Sequence, residues 1–152
     1  MPNFEHAHGT VIIGQGEIDR LIELAKLDPQ HKYRLCANPT ASDAISEMII
    51  VHLSDTVVPI HRHNGKSESF TFLEGYADVE LYSDDGRLVQ TIPMAPPGAY
   101  GRNCFYRLNS DTYHTLKILS PVVVFHEVTN GPWAKEDLIV APFWQAPKGW
   151  HR

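Results

Sequence analysis

The sequence predicts an all-β fold, an antiparallel sandwich or barrel of many short strands preceded by one short helix. Three observations carry this. From about Met48 onward, short β-branched and aromatic runs follow one another with no helical periodicity between them. Residues 76–82 and 87–92 flank Ser83-Asp84-Asp85-Gly86, whose Asp-Gly pair signals a hairpin turn. Upstream, one stretch only has helical spacing. Strands that follow one another without intervening helices argue against a parallel α/β sheet.

The helix is read from Ile18, Leu21, Ile22 and Ala25, at i, i+3, i+4 and i+7, with Leu24 widening the stripe. Glu17 and Asp19 suit its first turn and Lys26 its last. Pro29 then forces Asp28 out of helical geometry. Strand-like runs follow at residues 48–53, at Phe70, Phe72 and Leu73, at 76–82, 87–92, 105–108, 114–119 and 122–128. The tail carries Pro132, Trp133, Pro142, Trp144, Pro147 and Trp150, and is expected to lie irregularly across the barrel with its aromatics on apolar surface. The organisation expected is a single domain: an N-terminal extension with the helix at 1–34, the barrel at 35–131, and the irregular tail at 132–152.

A chain of 152 residues suffices for one core and not for two. Thirteen basic against 18 acidic residues give a formal charge of −5, which disfavours nucleic acid and anionic membrane as partners. Cys36 and Cys104 make no disulfide framework and read as small hydrophobes in a reducing compartment. The start, MPNFEHAHG, lacks the basic and apolar regions of a secretory signal, and residues 48–51 and 121–125 are too short to span a bilayer. A cytoplasmic location is expected.

Nine histidines are the unusual entry in the composition. His61 and His63 are two apart at the end of Val57-Val58-Pro59-Ile60, so in a strand they face one side, about 6.5–7 Å apart along the chain. Two such imidazoles can lean onto one ion. Asn64-Gly65-Lys66-Ser67 is turn-forming and returns the chain to Glu68. Glu68 shares parity with Phe70 and Phe72, and a carboxylate entering that apolar interior needs a cation to meet it. His114 leads a strand after the polar turn Asn109-Ser110-Asp111-Thr112 and can close the site from a neighbouring strand. The expected ligand set is His61, His63, Glu68 and His114. Mixed nitrogen and oxygen ligation suits one divalent ion, with Zn, Fe, Ni, Mn and Co all open.

The pattern His61-x-His63, four residues, Glu68, six residues, Gly75 resembles the first cupin motif, and residues 109–114 resemble the second. Asp55 stands where the first motif has Gly; Asn109, Asp111 and Ile118 replace the second motif's Pro, Gly and Asn. Together with the short helix, Arg34-Leu35-Cys36-Ala37-Asn38, Phe125-His126-Glu127-Val128-Thr129-Asn130-Gly131-Pro132 and Ala141-Pro142-Phe143-Trp144, residues 17–146 are similar to the WbuC-type cupin fold metalloproteins. That resemblance implies a double-stranded β-helix, or jelly-roll barrel, holding a metal, in a family found with O-antigen polysaccharide gene clusters. Cupins commonly pair through sheet edges, so a homodimer is the preferred expectation, although the sequence itself does not give the oligomeric state.

Three imidazoles and one carboxylate leave an ion positive, with an open coordination position. The first functional reading is an isomerase or epimerase acting on a sugar or sugar nucleotide in polysaccharide metabolism, with His52, Tyr82 or His126 moving the proton. The alternatives are a non-catalytic metal-dependent binding or regulatory protein, and a metal-dependent dioxygenase. His52 and His126 fall in strands and can face either lumen or solvent. His6-Ala-His8 reads as mobile terminus. Tyr100, Arg102, Tyr106 and Arg107 either meet an anionic ligand at the barrel mouth or form a solvated loop. Gly14-Gln-Gly16 has no third glycine or βαβ context and is not a dinucleotide turn.

Overall fold

In the computed structural model, which describes residues 2–151, the helical spacing becomes α1 (Gln15–Leu27). Asp28 is extended at φ −77° and ψ 133°, as the following proline requires. Leu21 and Ala25 are fully buried, and with Ile18 and Ile22 they pack on Leu35, Ile49, Val51 and Val124.

The strands are β1 (Phe4–His6), β2 (Lys32–Cys36), β3 (Ile45–Leu53), β4 (His61–His63), β5 (Glu68–Glu74), β6 (Ala77–Tyr82), β7 (Leu88–Met94), β8 (Phe105–Leu108), β9 (Tyr113–Ile118), β10 (Val122–Asn130) and β11 (Leu138–Val140). Six form one sheet in the order β1-β2-β3-β10-β5-β8, and five form a second in the order β11-β4-β9-β6-β7. The protein is thus mostly β, with two sheets and one described α-helix. The expected hairpin joins β6 to β7, antiparallel, with Gly86 at φ +85° in the turn.

The six-stranded sheet is covered on both sides, which explains why β3 and β10 read as continuous apolar runs rather than alternating ones. One face meets α1. The other, with Met48, Ile50, Phe70, Phe72, Val123 and Phe125, meets Val79, Leu81, Met94 and Leu116 of the second sheet. Phe125 lies 4.7 Å from Phe70 and 5.6 Å from Phe72 between ring centroids, a stack that fills the middle of the barrel. Gly75 lets the chain turn from β5 into β6 at φ +74°; a Cβ there would lie 2.0 Å from the carbonyl oxygen of Val122.

Both ends of the chain are more ordered than their composition suggested. The tail expected to be irregular holds a 3-10 turn (Lys135–Asp137) and β11, which pairs antiparallel with β4, Leu138 opposite His63 and Val140 opposite His61. Leu138-Ile139-Val140 is a β-favouring triplet too short to stand out among the neighbouring prolines and tryptophans. In the N-terminal extension, β1 adds to the sheet edge, parallel to β2. His6, expected to be mobile, is half-buried in it, its Nδ1 2.8 Å from the Asn38 carbonyl oxygen.

Candidate metal centre

β4 is a three-residue strand held between β9 and β11, and His61 stands directly opposite His114 in register. Opposed residues of an antiparallel pair bring their side chains together. The ring centroids of His61 and His114 are 4.5 Å apart, those of His61 and His63 5.0 Å, and those of His63 and His114 5.7 Å. One ring nitrogen from each lies within 4.8 Å of the other two. Gly65, at φ +64°, turns the chain so that Glu68 enters at the start of β5. Glu68 is 2% exposed, with Oε2 2.9 Å from His63 Nε2 and Oε1 2.8 Å from His114 Nε2.

The tautomers follow from the backbone. His61 Nδ1 donates to the Pro59 carbonyl at 2.8 Å, and His114 Nδ1 donates to the Thr112 carbonyl at 2.8 Å. A carbonyl only accepts, so both Nδ1 atoms carry hydrogen in the neutral rings and both Nε2 atoms present lone pairs. Burial, with His114 and His63 adding, pushes His61 down to about 3, so this ring is neutral at pH 7. Burial disfavours charge on Glu68 as well, but His114 and His63 outweigh it and hold the carboxyl well below its usual range. Burial also opposes charge on His114, where Glu68 prevails and raises the ring.

Close approach is not matched by hydrogen-bond alignment: Glu68 Oε2 and His114 Nε2 are buried without a hydrogen-bond partner among the described residues. Atoms that aim at a shared point rather than at each other behave this way. Two ligand atoms each about 2.1 Å from an ion, at right angles, lie about 3 Å apart, close to the spacings here. The donor set therefore fits a divalent ion. Tyr106 adds outer support, its hydroxyl donating to Glu68 Oε1 at 3.1 Å.

The histidines line a cavity of about 170 Å³ between the sheets, with Lys32, Arg34, His52, Phe70, Leu116, Phe125 and Glu127 also in its wall. His52 faces this lumen, 8% exposed, and burial first, then Arg34 and Lys32, keeps it neutral by pushing it down to about 3. The other two proton-transfer candidates do not converge. His126 points to the opposite face of β10, its Nε2 2.7 Å from Glu47 Oε1. Tyr82 donates to Glu80 Oε2 at 2.7 Å, is pushed up to about 12 by burial and Glu80, and lies outside the cavity wall. Nor do the aromatic and basic residues near the second motif gather at the mouth. Arg102 pairs with Asp78, Tyr100 is fully exposed, Arg107 donates to Asn109 and Ser67, and Tyr106 is buried on Glu68.

Glu127 is the residue the sequence reading missed. It shares the lumenal parity of Val123 and Phe125 and is 9% exposed. Burial, with the charge of Glu68 adding, pushes its carboxyl up to about 7. The available signal was an acidic residue inside an otherwise apolar run, at the parity of Phe125.

Two facing sheets with histidines converging between them define a cupin-fold chain with a candidate metal centre. The chain belongs to the family described as a domain of unknown function (DUF6016), which it matches over residues 13–94. No curated protein matches the sequence. Among solved structures it is similar to protein SO0799 from Shewanella oneidensis, with a TM-score of 0.62 and 11% identity, covering 80% of this chain and 82% of that one. It is similar to the capsular polysaccharide assembling protein CapF from Staphylococcus aureus (TM-score 0.56, 12% identity, 72% of this chain and 29% of that one). A variant of oxalate decarboxylase from Bacillus subtilis is similar as well (TM-score 0.53, 12% identity, 72% and 27%). At these identities the likeness is one of fold, and the chain spans less than a third of CapF and of oxalate decarboxylase. No described helix is long and apolar enough to cross a membrane.

Proposed function

We propose that this protein is a metal-dependent cupin enzyme, its two sheets wound as a double-stranded β-helix, that isomerises or epimerises a small sugar-like molecule. The ion would be held by His61, His63, Glu68 and His114. The reading rests on one observation above all: the buried carboxyl of Glu127 stands in the same cavity as the three convergent histidines. A carboxyl so placed can take or give a proton beside a ligand held at the histidines. CapF is named as a capsular polysaccharide assembling protein, and the WbuC-like motifs point the same way, so a polysaccharide precursor is the first substrate class to try.

When bound, a divalent ion supplies a Lewis acid that polarises a carbonyl or hydroxyl oxygen. The chain's own residues do the rest. Glu127 holds or takes up a proton at its carboxyl oxygen, while His52, neutral and lumenal, offers a second polar contact. Phe70, Leu116 and Phe125 give the cavity apolar walls that limit water. A cavity of about 170 Å³ compares with one that encloses a benzene ring. The enclosed part of a ligand is therefore small, a portion of a sugar, with any larger substituent outside.

The test begins with metal content of untagged protein and of His61→Ala and His114→Ala. About one equivalent, lost in both variants with the fold retained, supports the centre; no metal, or metal indifferent to both changes, removes it. Glu127→Gln then separates enzyme from binder. An enzyme loses turnover on a polysaccharide-precursor sugar while keeping affinity for it. If the metal-loaded protein turns over no such sugar, the catalytic reading falls.

A further inference from the structure

The cavity contains two cations that the metal chemistry does not use. β2 alternates across its sheet: Tyr33 and Leu35 pack toward α1, whereas Cys36 belongs to the core between the sheets. Lys32 and Arg34 share the parity of Cys36, and both line the lumen with His61, His63 and His114. Charged groups brought inside a barrel are costly unless something offsets them. Among the described residues, no carboxylate forms an ion pair with either, whereas Lys66, the other basic residue of the wall, is matched by Asp137 at 2.6 Å. Glu127 is a single lumenal carboxyl against two cations and does not offset both. Lys32 is itself pushed down, by burial and then by Arg34, with Asp28 opposing only in part.

A separate observation points to a ligand. His52, beside this pair and 8% exposed, has its Nδ1 buried without a hydrogen-bond partner among the described residues. Buried polar atoms are seldom left so. With a divalent ion bound, Lys32 and Arg34 would leave the lumen net positive even with both Glu68 and Glu127 ionised.

We propose that Lys32 and Arg34, with His52, form an anion subsite in the barrel lumen, and that the ligand is a small acid carrying a carboxylate or phosphate at the end away from the histidines. This rests on the lumenal site of the proposed function and narrows its substrate class from sugars in general to acidic ones. The guanidinium of Arg34 offers two parallel donors to a planar or tetrahedral oxyanion, and Lys32 adds a point charge. The cavity volume limits the enclosed portion to a compact molecule of about six to ten heavy atoms.

The experiment uses full-length, metal-loaded protein and three probes of similar size: tartrate, glycerol 3-phosphate and neutral erythritol. Binding is read by calorimetry and by the thermal melting shift. At least one of the two anions should bind and raise the melting temperature while erythritol at equal concentration does neither. Tartrate alone would identify a carboxylate site and glycerol 3-phosphate alone a phosphate site. Lys32→Met and Arg34→Gln should each weaken that binding about tenfold or more with metal content unchanged. Anions that bind no better than erythritol, or affinities unchanged in both variants, overturn the proposal; the wild-type comparison decides should a variant not fold. The same titrations on His61→Ala separate this inference from the metal reading. Dependence on Lys32 and Arg34 that persists without metal supports the subsite even where the centre fails. Loss on metal removal together with indifference to Lys32 and Arg34 overturns the subsite and leaves the centre standing.

Discussion

Replacing Glu127 by glutamine should make the metal-free protein more stable at high pH. The carboxyl titrates at about 7 in the fold against 4.5 in a free chain, because burial and Glu68 disfavour its charge. Between those values the folded state binds more protons than the unfolded one, so stability falls as pH rises. The cost is absent below about pH 4.5, grows through the window and is constant above about pH 7, where it amounts to about 3 kcal/mol. Glutamine cannot ionise. Denaturant unfolding of both proteins, stripped of metal, at intervals from about pH 5 to pH 8 should show the variant gaining about 2–3 kcal/mol on the wild type across that range. Glutamine has nearly the shape of the protonated acid, so cavity terms largely cancel in the comparison. Stability profiles that stay parallel within about 0.5 kcal/mol would mean that Glu127 ionises as it does in water. The argument for its role as a proton carrier would then go with it.

The other expectations concern the supports of the site. Tyr106→Phe removes the hydroxyl that donates to Glu68 Oε1 and should weaken metal affinity about tenfold to a hundredfold in a chelator competition; unchanged affinity would show that Glu68 needs no such support. Gly75→Ala places a Cβ 2.0 Å from the Val122 carbonyl oxygen, in a left-handed backbone, and should cost about 3 kcal/mol or more in denaturant unfolding. A loss below about 1 kcal/mol would mean that the turn from β5 to β6 yields easily. Leu21→Ala, at a fully buried position, should cost about 2–5 kcal/mol while leaving metal content intact, since α1 packs on the outer face of the sheet. Metal loss in a still-folded Leu21→Ala would contradict that separation.

The readable parts of this sequence were those whose signal is local. His61, His63 and Glu68 sit within one strand, one turn and the next strand, so spacing alone places them together. The helix was legible because its apolar stripe faces a single partner, and Pro29 marks its end. Lumenal facing was harder where a strand is covered on both sides. In β10, Val122, Val123, Val124 and Phe125 are all apolar, so parity does not announce which neighbour looks inward. The sequence offers His126 as a proton carrier and hides Glu127, although the barrel turns the first outward and the second inward. Lys32 and Arg34 were invisible for a related reason: a Lys-x-Arg pair reads as a solvated edge until a helix is known to cover the other face. The strand in the tail is specified by its partner β4 more than by its own three residues.

The pairing of β11 with β4 also affects how the protein is made. The strand bearing His61 and His63 is only three residues long and meets β9 at one register position, and its other border is supplied by residues 138–140, more than twenty residues after the last expected ligand, His114. During synthesis the ribosome delivers all four expected ligands well before it delivers the segment that seats two of them. The full geometry of the expected ligand set is thus completed only after residue 140 has emerged. A nascent chain stalled or cleaved before residue 138 would expose the ligands without the strand that orders them.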